Sequence, residues 1–199
     1  MRILIVGAYG DVGRAACAAL GERHELIRAG RSRGDVTLDM SDAAAVTAMF
    51  SHIGQVDAVV STAGEVRFCP LADHDHDTML YGMRHKVMGQ INLVLCGLNT
   101  VADAGSFTLT SGILDRDPVR DGIGAATANG ALSGFVSGAA IEMPRGLRLN
   151  VVSPGLLDTS QDRYGALFPG HAPVPAEAVG RAYVKAVEGA GTGQVITVP

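Results

Sequence analysis

The chain has little that would let it work on a polymer or in a bilayer. Only 18% of its 199 residues are charged, the formal net charge is −4, and no basic cluster stands out. Nucleic acid and anionic membrane surfaces are therefore not expected partners, because both are held through clustered lysine and arginine. Long apolar runs are missing as well. The N-terminal MRILIVGAYG holds four consecutive apolar residues before its first glycine, too few for a signal h-region, and no stretch approaches the roughly 20 apolar residues of a membrane span. Export and membrane insertion are not expected. Cys17, Cys69 and Cys96 are odd in number, scattered, and free of any C-x-x-C pair, which argues against a disulfide framework or structural zinc and for a reducing, cytoplasmic location. Internal repeats and low-complexity linkers are also lacking. What is present, 47% hydrophobic residues, suits one globular domain spanning residues 1–199 that handles a small molecule.

Short runs rich in valine and isoleucine alternate with longer segments of helical period. Strands are predicted at Ile3–Val6, Glu25–Arg28, Val36–Leu38, Asp57–Ser61, Ser106–Thr110, Arg148–Val152 and Gln194–Val198, and helices at Val12–Leu20, Ala43–His52, Asp77–Ala102, Ile123–Glu142 and Ala176–Val187. Strands separated by helices of this length run parallel, since a crossover helix returns the chain to the same edge. The expected architecture is an α/β, doubly wound Rossmann fold: a mostly parallel seven-stranded sheet with helices on both faces. One connection departs from the pattern. Gly30–Asp35 reaches about 20 Å when fully extended and cannot hold a crossover helix, so the third strand is expected to be a short edge stub.

The stretch LADHDHDTML sets His74 and His76 among Asp73, Asp75 and Asp77. Metal ligands usually converge from several elements, whereas acidic residues ahead of a helix favour its N-terminal dipole and one of them can cap it. Capping is the expected role, and no metal site is assigned.

GAYGDVG, residues 7–13, lies between the first strand and the first helix. Gly7 allows the tight turn, Gly10 lets the backbone approach a pyrophosphate, and Gly13 permits close packing of helix on strand, with Val12 between them and the helix N-terminus turned to the anion. After the second strand comes AGRSRGD. An NAD site usually carries a carboxylate there for the ribose hydroxyls. Arg31, Ser32 and Arg33 instead offer guanidinium and hydroxyl donors suited to a 2′-phosphate, so NADP(H) is the expected cofactor. The alternative is two arginines that merely solvate a loop.

With these segments in place, the chain resembles the short-chain dehydrogenase/reductase family over nearly its whole length. LDMSD carries Asp39 where the family contacts adenine, and STAG, with Ala63 and Gly64, stands where NNAG is usual. TSG, residues 110–112, ends the fifth strand where the family keeps its catalytic serine, here Ser111. SPGLLDT, with Pro154, Gly155 and Thr159, matches the P-G-x-x-x-T segment that closes over nicotinamide and pyrophosphate. The length resembles a compact bacterial-type subgroup of about 200 residues with a loop in place of the second crossover helix. The resemblance implies hydride transfer between NADP(H) and a small carbonyl or alcohol.

It also exposes a departure. In the family the helix after the serine carries Y-x-x-x-K ahead of a small-residue ending, and NGALSGF, residues 129–135, matches that ending. Asn129 falls on the lysine position, where the cofactor ribose is held, and Ala125 on that of the tyrosine. The tyrosine would deliver a proton to oxygen as hydride reaches carbon; alanine cannot, and a positioned acid is worth about 10²- to 10⁴-fold in rate. In RHKVMGQINL the family pattern v-N-l-x-G puts Lys86 where a proton-relaying asparagine normally sits. Lys86 is expected to point into the cleft near Ser111 and Asn129, to contact the nicotinamide ribose or polarise a substrate oxygen; the alternative is a lysine snorkelling off a helix surface. Tyr9 and Tyr164 are weaker substitutes. Gln161–Pro173 is the expected substrate lid.

Ala126, Gly130, Gly134 and Gly138 recur every four residues, and each interior glycine costs roughly 1 kcal/mol of helix propensity, which close contact must offset. The family commonly pairs its fourth and fifth long helices, so the resemblance implies a homodimer or homotetramer built on this stripe. Packing against the subunit's own sheet is the alternative. Two functions follow: a short-chain oxidoreductase with an altered active site, in which Ser111 polarises a carbonyl and Lys86 or a water takes the tyrosine's part, or a non-catalytic NADP(H)-binding sensor or interaction protein.

Overall fold

The computed structural model describes residues 1–199. Its strands are β1 (Arg2–Val6), β2 (Glu25–Gly30), β3 (Val36–Thr37), β4 (Val56–Ser61), β5 (Val101–Thr110), β6 (Arg148–Pro154) and β7 (Val195–Val198). They form one seven-stranded sheet in the order β3-β2-β1-β4-β5-β6-β7, with every neighbouring pair parallel. The helices are α1 (Asp11–Gly21), α2 (Ala43–Ile53), α3 (His76–Gly82), α4 (Gly89–Gly97), α5 (Ile123–Ala139), α6 (Gln161–Tyr164) and α7 (Ala176–Glu188). None is long and apolar enough to cross a membrane.

The strand sequences are apolar on both sides because both faces of the sheet are covered. In β1, Leu4 and Val6 enter a core with Val46 and Phe50 of α2, Leu93 of α4 and Leu132 of α5. The intervening Ile3 and Ile5 enter a second core with Ala16 and Leu20 of α1 and Val179 and Tyr183 of α7. The edge stub is β3, paired only to β2 through Ala29 and Gly30. Its lead-in loop is tied locally: Asp35 accepts from the Arg28 amide at 2.8 Å, and the Arg33 guanidinium sits 4.5 Å from the Tyr9 ring centroid.

The expected helix Asp77–Ala102 is not continuous. It begins at His76 behind a capping box in which Thr78 N–H donates to Asp75 Oδ1 at 2.8 Å and Asp75 N–H donates to Thr78 Oγ1 at 2.7 Å, so the charged stretch around His74 does cap a helix. A π-helical turn, Met83–Met88, then separates α3 from α4. The helix stops at Gly97, because Val101 pairs with Val56 and opens β5 five residues ahead of the expected start; residues 102–105 bulge out before regular pairing resumes at Ser106.

Helix α5 turns Ala128, Leu132 and Val136 to the core. A β-carbon added at Gly134 or Gly138 would meet nothing within 4 Å, and one at Gly130 only Asp115 Cβ at 3.9 Å. The glycine stripe therefore faces outward, which excludes packing against the subunit's own sheet.

The chain leaves β1 toward β2 on one side and β4 toward β5 on the other, so the crevice where strand order reverses opens between the carboxyl ends of β1 and β4. Beside it, one buried polar network fixes the end of β5. Gln90 of α4, fully buried, donates through Nε2 to Thr110 O and accepts from Thr110 N–H, both at 2.8 Å. The Thr110 hydroxyl donates to Ser61 O at 2.5 Å and lies 2.6 Å from the Tyr183 hydroxyl. With the Thr110 proton directed to Ser61, Tyr183 is the donor in the second bond. Replacing Gln90 with leucine keeps the volume but strands two buried backbone groups, and is expected to cost about 2–4 kcal/mol. Urea unfolding reads this as a lowered midpoint at unchanged slope; an unchanged midpoint would contradict it.

Candidate active site

Two recesses meet at the crevice. The nucleotide-side recess, about 240 Å³, is bordered by Gly7, Arg31, Asp39, Ala63, Gly64, Glu65 and His85. The deeper cleft, about 270 Å³, is bordered by Val12, Ala63, Gly64, Lys86, Ser111, Ala125, Asn129, Pro154, Gly155 and Ser160, with Val66, Phe68, Leu156, Tyr164 and Phe168 making much of its wall and mouth.

The glycine loop is built for close approach. Gly7 adopts φ +86°, and a β-carbon there would lie 2.7 Å from Ala63 N; one on Gly13 would lie 2.0 Å from Gly7 O. Gly13 is thus a packing residue, buried where α1 meets β1, while Gly10 is the N-cap of α1 and donates to Gly7 O at 3.1 Å. No side chain caps α1, so its first-turn N–H groups stay open to an anion.

On the cleft floor, Lys86 projects from the π-helical turn. Its Nζ donates to Ser111 O at 3.0 Å and to Asn129 Oδ1 at 2.6 Å. A β-carbon on Gly64 would come within 2.6 Å of Lys86 Cγ, so the glycine of STAG makes room for the lysine's stem. Burial draws the Lys86 ammonium down from the ordinary lysine range to about 8, with the Asp115 carboxylate opposing the shift. Ser111 is buried, and its Oγ has no internal hydrogen-bond partner. Ala125, 3% exposed, brings only a methyl to the same floor.

The remaining residues divide. Pro154 and Gly155 border the deep cleft, whereas exposed Thr159 faces the groove between α1 and α7. The hydroxyl in the cleft belongs to its neighbour Ser160, which donates to Asp11 Oδ2 at 2.7 Å. Ser32 is exposed and borders neither recess. Asp39 borders the nucleotide side, but its carboxylate is engaged by Ser41 N–H and Oγ at 3.0 and 2.7 Å, which hold it below the usual carboxylate range. Arg31 is paired with Glu65 at 2.7 Å. No three His, Cys, Asp or Glu side chains converge as a metal site.

Sequence reasoning overlooked Glu65, Ser160 and the tie between Asp11 and Arg163. Glu65 had a signal, since it directly follows Gly64 of a cofactor segment; the Asp11 tie had none, because its partner lies 152 residues away.

A family model described as enoyl-(acyl carrier protein) reductase matches residues 4–187. Among solved structures, the protein lin1944 from Listeria innocua is 45% identical, with both chains covered in full and a TM-score of 0.98. A small-chain dehydrogenase in complex with NADPH is 27% identical over 100% of this chain and 96% of that one, with a TM-score of 0.85. A Serratia marcescens short-chain dehydrogenase/reductase variant, 20% identical over 99% of this chain and 94% of that one, shares the fold at a TM-score of 0.80. No curated protein matches.

The chain contains two lysines, Lys86 and Lys185. A ¹³C NMR titration of the lysine Cε signals should therefore show one resonance with a midpoint near 8, as burial demands of Lys86, and that resonance should vanish in Lys86→Met. A Lys86 resonance that keeps an ordinary lysine midpoint would contradict the buried ammonium.

Proposed function

Because the chain belongs to the short-chain dehydrogenase/reductase family, we propose that it binds NADP(H) at the crevice and catalyses hydride transfer to or from a small carbonyl or alcohol, with Lys86 as the proton donor. The observation that carries this reading is the Lys86 ammonium on the cleft floor, bonded to Ser111 O and Asn129 Oδ1.

The residues present fit a dinucleotide. The cradle at Gly7 is one a β-carbon would fill, the first turn of α1 is uncapped, and Ser111 Oγ is a buried hydroxyl without an internal partner. The NADPH complex of a relative at 27% identity supports the same cofactor type. When bound, the dinucleotide supplies or accepts the hydride.

The chain's own groups do the rest. Gly7, Gly10 and the α1 amides hold the pyrophosphate, Arg31 offers its guanidinium to a 2′-phosphate, and Ala63 and Gly64 border the adenosine path. Ser111 Oγ donates to the substrate oxygen. Lys86 releases a proton to that oxygen as negative charge develops and regains it in the reverse direction. Asn129 fixes the ammonium, while Phe68, Leu156 and Phe168 keep the cleft poor in water and suit a substrate with an apolar part.

The sign of the pH dependence follows. Reduction needs the ammonium, so its rate is full below about 8 and falls as pH rises through that value; oxidation needs the free amine and rises through it. Lys86→Met should abolish this limb and lower the rate by about 10²- to 10⁴-fold. Single-turnover absorbance of bound NADPH against a panel of carbonyls measures both effects. An unchanged rate and profile would remove Lys86 from the chemistry.

One observation favours a second reading, a non-catalytic sensor or interaction protein: Ala125, on which the resemblance puts the family's tyrosine, brings only a methyl to the cleft. Retained NADPH binding with no oxidation across the panel would support it.

The outward glycine stripe of α5, with exposed Met88 and Leu95 along the neighbouring helical segment, supports a homodimer or homotetramer assembled through α4 and α5. Sedimentation velocity at micromolar concentration should show no monomer as the main species; a monomer would contradict the assembly.

A further inference from the structure

The nucleotide-side recess holds an acid that hydride transfer does not use. Glu65 reaches it from the turn after β4, opposite Arg31 at the end of β2. One carboxylate oxygen accepts from Arg31 Nη1 at 2.7 Å and the other from the Tyr81 hydroxyl at 2.5 Å. These bonds, Tyr81's the stronger, hold the carboxyl below the usual carboxylate range, so Glu65 is ionised at neutral pH. Tyr81 is itself held: the Arg67 guanidinium lies 4.2 Å from its ring centroid and the His85 ring 4.5 Å away. The carboxylate therefore sits on a buttressed phenol, and Arg31 is drawn across the recess to meet it. Asp39, the other acid there, is occupied by Ser41, which leaves Glu65 as the group that engages Arg31.

A phosphate bound through Arg31 meets two obstacles. The guanidinium binds a phosphate best when it can turn two parallel N–H groups toward it, and the ion pair holds Arg31 toward Glu65, so a phosphate must compete with the carboxylate for it. A doubly charged phosphate beside an ionised carboxylate is also repelled. A ribose that carries hydroxyls instead of a phosphate meets neither obstacle.

We propose that Glu65 sets the cofactor preference of this site: it opposes the 2′-phosphate of NADP(H) by holding Arg31 and by its own charge, and leaves NAD(H) unaffected. The proposal rests on the dinucleotide reading above. The arginine after β2 favours the phosphate and the acid after β4 works against it, so the wild-type protein discriminates between the two cofactors less than the arginine alone would.

The test is a double-mutant cycle read as binding. Dissociation constants for NADPH and NADH are measured by nucleotide fluorescence for wild type, Glu65→Gln, Arg31→Gln and the double variant. The Glu65 and Arg31 side chains are 44% and 61% exposed, so all four proteins should fold, as circular dichroism melting verifies. Glu65→Gln should tighten NADPH about tenfold while NADH changes by less than about twofold, and the gain should shrink when Arg31 is also replaced, leaving only the part due to the carboxylate's own charge. Equal shifts for both nucleotides, weaker NADPH binding, or a gain undiminished by the loss of Arg31 would overturn the proposal. Wild-type protein that bound neither nucleotide would remove the dinucleotide reading and this proposal together; binding with unchanged selectivity in Glu65→Gln would remove the role of Glu65 alone.

Discussion

The cleft depends on how β5 ends. In a parallel sheet the last peptide groups of a central strand lose their ladder partners as the neighbouring chains turn away into loops, and buried groups of that kind must be satisfied elsewhere. Here two side chains of one helical segment do it: Gln90 engages the Thr110 peptide groups, and Lys86 binds the carbonyl of Ser111. Thr110 in turn reaches Ser61 at the end of β4 and Tyr183 of α7. Both helical layers and both central strands are thereby fixed at one point, immediately before the residue whose hydroxyl faces the cleft.

Lys86 shows how a cation is kept there. Its direct acceptors are a backbone carbonyl and a side-chain amide, both neutral, so lost hydration outweighs the attraction of Asp115 and the ammonium becomes easier to deprotonate. Had a carboxylate been in contact, the balance would have reversed and the proton would be held tightly. The π-helical turn belongs to the same arrangement. A wider turn shifts the register of the side chains it carries, and this one joins Lys86 to a helix whose next turn must also bring Gln90 onto Thr110. The cation is thus carried by the segment facing α5, and Asn129 of α5 is its acceptor.

Most of the sheet was legible because strands covered on both faces are written as unbroken apolar runs, as in the ILIV that follows Arg2 in β1. The end of α4 was not. Leu98 to Ala102 continues an apolar helical pattern, and only the pairing of Val101 with Val56, some 45 residues away, makes it a strand. The π-helical turn has no compositional mark that separates it from the α-helical segments beside it. In the cleft, Lys86, Ser111 and Asn129 could be singled out because the short motifs that carry them resemble those of the family. Thr159 could not be told from Ser160, because one residue of offset in a tight 3₁₀ turn sends the hydroxyl to the other side. Glu65 was adjacent to a motif, but its role appears only when folding brings Arg31 from 34 residues away.

The ionic contacts around the crevice share a design. Arg31 meets Glu65 across the nucleotide side, and Arg163 of α6 meets Asp11 at the start of α1, so each pair joins two walls. Asp11 is nearly buried and stands in the first turn of an uncapped helix, where its charge suits the dipole but competes with any phosphate drawn to the same amides. Arg14, Arg163 and the Ser160 hydroxyl offset that charge and keep cationic donors beside the glycine loop. An anion arriving there meets donors already assembled, yet it must draw them from a carboxylate, and two of them, Ser160 and Arg163, come from the segment that borders the cleft. Ser160 and Arg163 thus tie that segment to the first turn of α1 through the Asp11 carboxylate.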